Sequence, residues 1–388
     1  MAASSAPAPP LRQRLWEVAA LFLKLGAISF GGPAAHIALM EAETVRRRNW
    51  LTREYFLDML SATNLVPGPN AAEMAIHIGY LRAGWPGLLV GGAAFILPAA
   101  LISGALAWLY VTYGSLPQVG AIFYGINPAI LAIIVAATYR LGKTAIRDWR
   151  LAVLSAACLA AALLGVDQVV ILLAAGVAGI LLYAGPWRAG AAPLLMMAPG
   201  LPALLPAGAL TAQDRLPALA LFFLKVGALL FGSGMVLFAF IQQDVVNRLG
   251  WLTQRQLVDA IAVGQMTPGP VLSSATFIGY LVSGWAGAVA ATIAVFLPSF
   301  FITALLGRYL PKVRNWALGR AFLKGVNAAV VALIVAVAIG LARSAVPDIA
   351  AAAIAAASLA LLLRYRAETW WLVAGGAAVG LLRLLLFG

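Results

Sequence analysis

A few polar residues stand inside stretches that are otherwise apolar, and their types suit two tasks: holding an anion and moving a proton. Lys24 lies in FLKLGAISFGG (22–32) and Lys225 in FLKVGALLFGS (223–233). A lysine at mid-membrane costs about 2.5–3.5 kcal/mol on insertion scales, so its presence there points to function. The bland alternative is snorkelling to an interface or pairing with a structural acid. Asn70 opens the segment NAAEMAIH at an N-cap position, as a plain cap or as cap and anion ligand. Glu73 falls in the first turn, where a carboxylate complements the helix dipole. Beside an anion it must take up a proton, which makes it a candidate proton carrier. A salt bridge to Lys24 or Arg82 is the rival. Ser273 and Ser274 occupy the matching region of a second segment, as oxyanion ligands or as caps. His36 and His77, the two histidines, are read as proton relays or as packing residues. About forty residues apart and with no carboxylate cluster, they make a poor metal site, so no metal and no cofactor is expected.

These residues need elements that bring backbone and side chains together. Asn64-Leu-Val-Pro-Gly-Pro-Asn70 and Gln265-Met-Thr-Pro-Gly-Pro-Val271 each interrupt an apolar region. Two prolines around a glycine cannot continue a helix. Inside a bilayer such a break is tolerated only where protein or a water-filled cavity surrounds it. Pro67-Gly68-Pro69 and Pro268-Gly269-Pro270 therefore read as tips joining two half-helices, whose second member offers an N-terminus suited to an anion. Broken helices at matching positions of two repeats point to a transporter's binding site. The expected substrate set is Lys24, Lys225, Asn70, Ser273 and Ser274, with the backbone of Gly68, Gly269, Gly31, Gly32 and Gly232. Glu73, His77 and His36 are the proton-coupling candidates. Pro67, Pro69, Pro268, Pro270 and Pro33 are the hinge candidates.

Composition places these features in a membrane. The chain has 388 residues, 63% of them apolar and 10% charged. Several apolar stretches reach the length of about 20 residues that a bilayer demands. The net charge of +13 comes from short Lys/Arg clusters between apolar runs, which suits orientation in a membrane rather than nucleic-acid binding. The single cysteine, Cys158, excludes an internal disulfide. The N-terminal Pro/Ala segment has no small-residue cleavage site, so no removed signal peptide is expected.

The chain is a tandem duplication. With Lys24 placed on Lys225, Trp50-Leu51-Thr52 meets Trp251-Leu252-Thr253, Asp58 meets Asp259, and the two tips coincide. After a one-residue gap, Gly84-Trp85 meets Gly284-Trp285, Pro98 meets Pro298, and Asn127 meets Asn327. The expected organisation is a flexible tail (1–14), a first transmembrane repeat (15–185), a linker (186–215) and a second repeat (216–388). Each repeat should hold a first span broken at its Gly-rich stretch, a polar segment, the hairpin (54–83 and 255–283) and four further spans. The asparagines should bond between helices or line the site. Asp58 and Asp259 should serve as partners of nearby arginines. Trp50, Trp251, Trp85 and Trp285 are interface anchors. Arg82, facing Val282 in the repeat register, either draws anions to one mouth or marks the inside.

Charge sets the topology. If the hairpin is re-entrant, each repeat crosses five times and the second repeat is inverted. Arg46-Arg47-Arg48, the loop with Arg140, Lys143, Arg147 and Arg150, the linker, the loop with Lys312 and Arg314, and Arg364 then all lie in the cytoplasm. The other loops carry little net charge, and the tail with Arg12 and Arg14 is the one exception to the positive-inside rule. A hairpin crossing once would put four basic residues outside; one crossing twice stays open. The fold class is an all-α polytopic membrane protein of two inverted-topology repeats, each with about five crossing helices and one re-entrant hairpin.

The stretches SFGGPAAHIALM, NLVPGPNAAEMAIHIGY and RAGWPGLLVGG in the first repeat, with GWLTQRQLVDAIAVGQMTPGPVLSSATFIGY and FLPSFF in the second, resemble the chromate ion transporter family. The likeness covers both repeats. Its motifs fall on Phe30, Gly31, Gly32, Pro33, His36, Pro67, Gly68, Pro69, Asn70 and Glu73, and on Phe231, Gly232, Pro268, Gly269, Pro270 and Gly279. The resemblance implies a secondary transporter in a bacterial-type inner membrane that exports chromate, an oxyanion shaped like sulfate, using the proton-motive force. Its partners would be the oxyanion, protons and lipid, with a homodimer left open. A carrier of sulfate or another anion, or an anion channel of the same fold, is the alternative. An intramembrane enzyme is the less favoured reading, since the sequence offers no acidic pair, nucleophile constellation or metal cluster.

Overall fold

The computed structural model describes residues 9–30, 32–64, 67–184, 215–231, 234–314, 317–365 and 367–387. Gly31 and Gly232, most of the 186–215 linker and the start of the tail lie outside the described residues. The described chain is helical throughout, and the two repeats give the same series.

In the first repeat, α1 (Leu11–Ile28) stops before the Gly-rich break and α2 (Pro33–Glu41) resumes with proline in its opening turn. A π-helical turn (Ala42–Arg47) follows. The hairpin begins with α3 (Arg53–Thr63), capped by the Thr52 hydroxyl on the Tyr55 amide. Beyond the tip, α4 (Asn70–Tyr113) runs as one element, with non-helical backbone at Ala83 and Gly84. Then come α5 (Pro117–Ala145), α6 (Trp149–Leu163) and α7 (Gln168–Tyr183), with Asp148 and Asp167 capping the last two. The second repeat supplies α8 (Arg215–Leu229), α9 (Val236–Phe240) with the π-helical turn Ile241–Arg248, and α10 (Gln254–Met266), which Thr253 and Gln256 open as a capping box. A 3-10 turn (Val271–Ser273) leads to α11 (Ser274–Arg314), followed by α12 (Ala317–Ala345), α13 (Ile349–Arg364) and α14 (Thr369–Phe387).

The hairpins end where expected. Gly84 has φ +64° and Gly284 φ +60°, backbone that any residue with a Cβ adopts only under strain. These glycines fold each short limb back against the long helix that follows. Beside each fold a tyrosine meets an exposed tryptophan edge-on, Tyr80 with Trp85 and Tyr280 with Trp285, as membrane-interface anchors do. α3 has 11 residues and α10 has 13. At 1.5 Å per residue neither exceeds about 20 Å, short of the roughly 30 Å hydrocarbon core, so the re-entrant form fits and a double crossing does not.

Among the described residues five helices are long and apolar enough to cross a membrane, α4, α5, α11, α12 and α14, whereas α6, α7 and α13 are shorter apolar helices. The inversion does not depend on that difference. Whether the α6–α7 pair crosses twice or turns back, the parity of each repeat stays odd.

The repeats are interlocked rather than side by side. α5 packs along α13 and α14, and α12 packs along α6 and α7, so the same helix of each repeat is embraced by the last two of the other. Both clasps close on glycine: a Cβ on Gly125 would strike the Gly376 carbonyl, and one on Gly325 the Ala175 carbonyl. Such close approach of small residues is how membrane helices gain packing without a hydrophobic drive. α4 and α11 meet across the pseudo-two-fold axis.

Candidate functional site

The tips are crossed. The Gly68 amide donates to the Leu230 carbonyl at 2.7 Å, and the Gly269 amide to the Ser29 carbonyl at 2.9 Å. Ser29 and Leu230 are the same position of the two repeats. Each tip therefore docks on the broken first span of the opposite repeat, and the reciprocity is that of a two-fold relation. The long helices join in. A Cβ on Gly68 would run into a Glu73 carboxyl oxygen and lie 3.1 Å from Ser299 Oγ; one on Gly269 would lie 2.9 Å from Ala99 Cβ and 3.1 Å from the Gly26 carbonyl. Ala99 and Ser299 again correspond.

The two tips differ in what surrounds them. At the first, Glu73 is fully buried, and neither carboxyl oxygen has a hydrogen-bond partner among the described residues. Its two candidate cations are engaged elsewhere. Lys24 Nζ lies 3.4 Å from Glu43, and Arg82 grips Glu17 at 2.6 Å while stacking on Trp50. The salt-bridge rival for Glu73 is thereby removed. One turn along, His77 is buried with both ring nitrogens unpartnered. Ser299 Oγ lies at the same Gly68 position, and it and Thr303 Oγ1, one turn further on α11, are buried with no partner among the described residues. Buried polar atoms nearly always find a partner, so such a concentration calls for a reason. Both Ile76 and Phe300 press on the space a Cβ of Gly92 would fill, which confirms that this limb of α4 faces α11.

At the second tip the hydroxyls are used up locally. Ser274 Oγ donates to the Val271 carbonyl at 2.9 Å, and Ser273 Oγ meets Thr267 Oγ1 at 3.2 Å. Among the described residues, Ser29 Oγ and Gln265 Nε2 have no partner, nor does Ser103 Oγ, one turn beyond Ala99. No acidic residue falls between Gln265 and Thr276.

The other expected residues sort as follows. Asn70 is not the cap: Pro69 holds that position, because its ring already sets the extended backbone that precedes the helix, and Asn70 is the first helical residue. Its amide bonds Asn64 Oδ1 and so ties the two limbs of the first hairpin together. Lys225 Nζ lies 3.1 Å from Asp244, so both lysines pair with the acid of their own π-helical turn. Arg47 and Arg248 complete the same triad at equivalent positions. The His36 ring N–H donates to the Ser29 carbonyl at 3.1 Å, and the ring meets Phe95 edge-on. Gly32, with φ +80°, and Pro33 form the turn into α2. Asp259 is hydrogen-bonded across the repeats by Tyr110 at 2.7 Å and Asn127 at 2.9 Å, with Arg255 of its own helix near enough to act on its charge, so Asn127 bonds between helices. Among the described residues no group of three or more His, Cys, Asp or Glu could hold a metal.

A family model described as chromate transporter matches the chain twice, over residues 16–180 and 217–381. The chain belongs to the chromate transporter family. It is 36% identical over 383 residues to the chromate transport protein of Cupriavidus metallidurans, covering 97% of this chain and 94% of that one. The probable chromate transport protein of Synechococcus elongatus is 33% identical, with 86% of each chain covered. The chromate transport protein of Pseudomonas aeruginosa is 35% identical, over 88% of this chain and 84% of that one. No solved structure matches. The two matched segments are the two interlocked repeats, so this family member is a multi-pass integral membrane protein built by duplication.

Several residues of the site escaped the sequence. Glu43 and Asp244 carried a signal, since an acid recurs 19 residues after each lysine. Ser299, Thr303, Ser29 and Ser103 carried none. Hydroxyl residues are common in membrane helices, and which of them face a tip depends on the crossing of the two repeats.

Proposed function

We propose that this chain is a secondary active transporter that carries chromate, or a similar tetrahedral oxyanion, out of the cell at the expense of the proton-motive force. The observation that carries the reading is the crossed pair of tips. Two broken backbone segments, each seated on the broken span of the other repeat, bring helix N-termini together with unpartnered buried polar atoms inside the protein. Names of the similar proteins supply the oxyanion. Glu73, with His77 one turn away, supplies a group that can exchange a proton in that interior. A tip that is docked on the opposite repeat makes rocking of one repeat against the other a means of alternating access. The inverted arrangement follows from odd crossing parity and the positive loops. Lys24 and Lys225 serve this reading through their acid partners, as fixed charge at the breaks rather than as free ligands.

The experiment is flux of radiolabelled chromate into proteoliposomes holding the purified chain, with and without an imposed pH gradient and with sulfate as competitor. Saturable flux that responds to the gradient is expected. Flux that neither saturates nor responds indicates a channel, and flux equal to that of empty vesicles overturns the reading.

A further inference from the structure

The two tips are not equivalent, and we propose that they have separated the two ligands: the second tip binds the oxyanion and the first holds the proton. This rests on the transporter reading above and adds to it which tip does what.

An N-terminal helix end attracts one anion. At the first tip the chain supplies that anion itself. Glu73 stands in the opening turn of α4, against Gly68, with no cation paired to it. When charged it repels an incoming oxyanion; when protonated it has given the site its ligand already, a proton. The hydroxyl of Ser299, which meets the same Gly68 position as the Glu73 carboxyl, can donate to the carboxylate or accept from the acid, which suits a group that changes state. His77 is the titratable neighbour on the same helix. Of the other ionisable groups on the elements packed against α4, Lys24 and Glu17 on α1 are in ion pairs, Arg14 donates to the Arg82 carbonyl, Glu41 on α2 pairs with Arg46 and with Arg53 of α3, His36 bonds Ser29, and Asp259 on α10 bonds Tyr110 and Asn127; Arg12, Glu54 and Arg255 are exposed. Asp58 on α3 also has an interaction of its own. The part of α11 from Ser274 to Leu305 carries no charged residue.

At the second tip the same helix end has no internal anion. Glu73 is replaced there by Ser273 and Ser274, whose hydroxyls turn inward to the hairpin. What remains free is a set of donors. Ser29 touches the tip through its carbonyl and keeps a buried, unpartnered hydroxyl; Gln265 Nε2, in the last turn of α10 before the tip, is likewise unpartnered. Ser103 Oγ lies one turn past Ala99, the residue against which Gly269 is seated. Amide and hydroxyl donors with a helix N-terminus and no carboxylate are what a tetrahedral oxyanion requires, since its oxygens accept and never donate when fully ionised.

The test is equilibrium binding of chromate, and of sulfate in parallel, to the purified full chain across a range of pH. Gln265→Leu combined with Ser29→Ala should weaken oxyanion binding by about tenfold or more, the loss of at least one good hydrogen bond. Gln265→Glu puts a carboxylate at the second tip, and should lose binding at neutral pH and regain it in acid. Glu73→Gln should bind the oxyanion within about threefold of the wild type while its flux no longer follows a pH gradient. Thermal unfolding of each variant reports whether it is folded. Wild-type-like binding by folded Gln265→Glu at neutral pH overturns the proposal. So does a Glu73→Gln variant that weakens binding as much as the Gln265→Leu, Ser29→Ala pair. If the wild type binds neither anion, the transporter reading itself falls and this proposal with it.

Discussion

The first and second tips share a backbone and differ in chemistry. Both are Pro-Gly-Pro turns, both donate the glycine amide to a carbonyl of the opposite repeat, and both end a limb too short to cross a membrane. Yet one buries an unpaired carboxyl and a histidine, and the other buries hydroxyls and an amide. Duplication fixed the scaffold, because any change to a docked turn disturbs two repeats at once. The side chains around it were free to diverge. A carrier coupled to a second ion needs that divergence, since two identical sites would bind the same ligand.

The largest effect should come from removing the difference. Glu73→Gln should cut gradient-driven chromate flux by about tenfold or more, while Ser273→Ala with Ser274→Ala should leave it within about threefold, because those hydroxyls bond only within their hairpin. Proteoliposome flux at matched protein content measures both. Equal losses would mean that the tips act alike.

The lysines sharpen the comparison from the side. Lys225 and Asp244 are 15% and 8% exposed, whereas Lys24 is 53% exposed beside Glu43 at 10%. Removing one partner of a buried pair strands the other, at a cost of about 3 kcal/mol or more. Lys225→Met should therefore lower the melting temperature clearly, since the Arg248 pair at 4.0 Å holds Asp244 less closely than Lys225 does at 3.1 Å. Lys24→Met should cost less than about 1 kcal/mol, as an exposed pair does, since Arg47 at 2.9 Å still holds Glu43. A Lys24→Met variant with unchanged melting and abolished flux would return Lys24 to the substrate site.

Much of this was legible in the sequence, for a reason that also explains the rest. Breaks, kinks and caps are local: Pro67, Gly84, Thr253 and their counterparts act on the backbone next to them, so the hairpins, the long helices and the duplication could be read directly. The lysines stood out because a charge in an apolar run is conspicuous, but what they touch was ambiguous until Glu43 and Asp244 were placed. The crossing of the tips is a contact between positions some two hundred residues apart, Gly68 with Leu230 and Gly269 with Ser29, and no periodicity encodes it. The unpartnered atoms of Ser299 and Ser29 follow from that crossing. Asn70 shows the same limit at short range, since its place after the tip suggested a cap and its side chain instead reaches back to Asn64.

Glycine offers a smaller probe of the same asymmetry. Alanine at either tip strains a positive-φ backbone by about 1–3 kcal/mol. At Gly269 the new Cβ meets Ala99 and the backbone carbonyl of Gly26, which cannot turn aside. At Gly68 it meets the ends of the Glu73 and Ser299 side chains, which can. Gly269→Ala should therefore lose more stability, and Gly68→Ala should lose flux out of proportion to its stability by displacing Glu73. Thermal unfolding set beside flux separates the two, and the opposite ranking would show that the carboxyl is not the feature that matters at the first tip.

The smallest effect belongs to the brace between the limbs of the first hairpin. Asn70→Ala and Asn64→Ala remove the same partly exposed hydrogen bond, and each should cost about 1 kcal/mol in thermal unfolding. If Asn70 only braces the tip, the two variants bind chromate alike and close to the wild type. If Asn70→Ala weakens binding by about tenfold and Asn64→Ala does not, the amide touches the oxyanion. The first tip would then hold both ligands, and the pairing of an unpaired carboxyl with an anion would have to be met by protonation of Glu73 at each turnover.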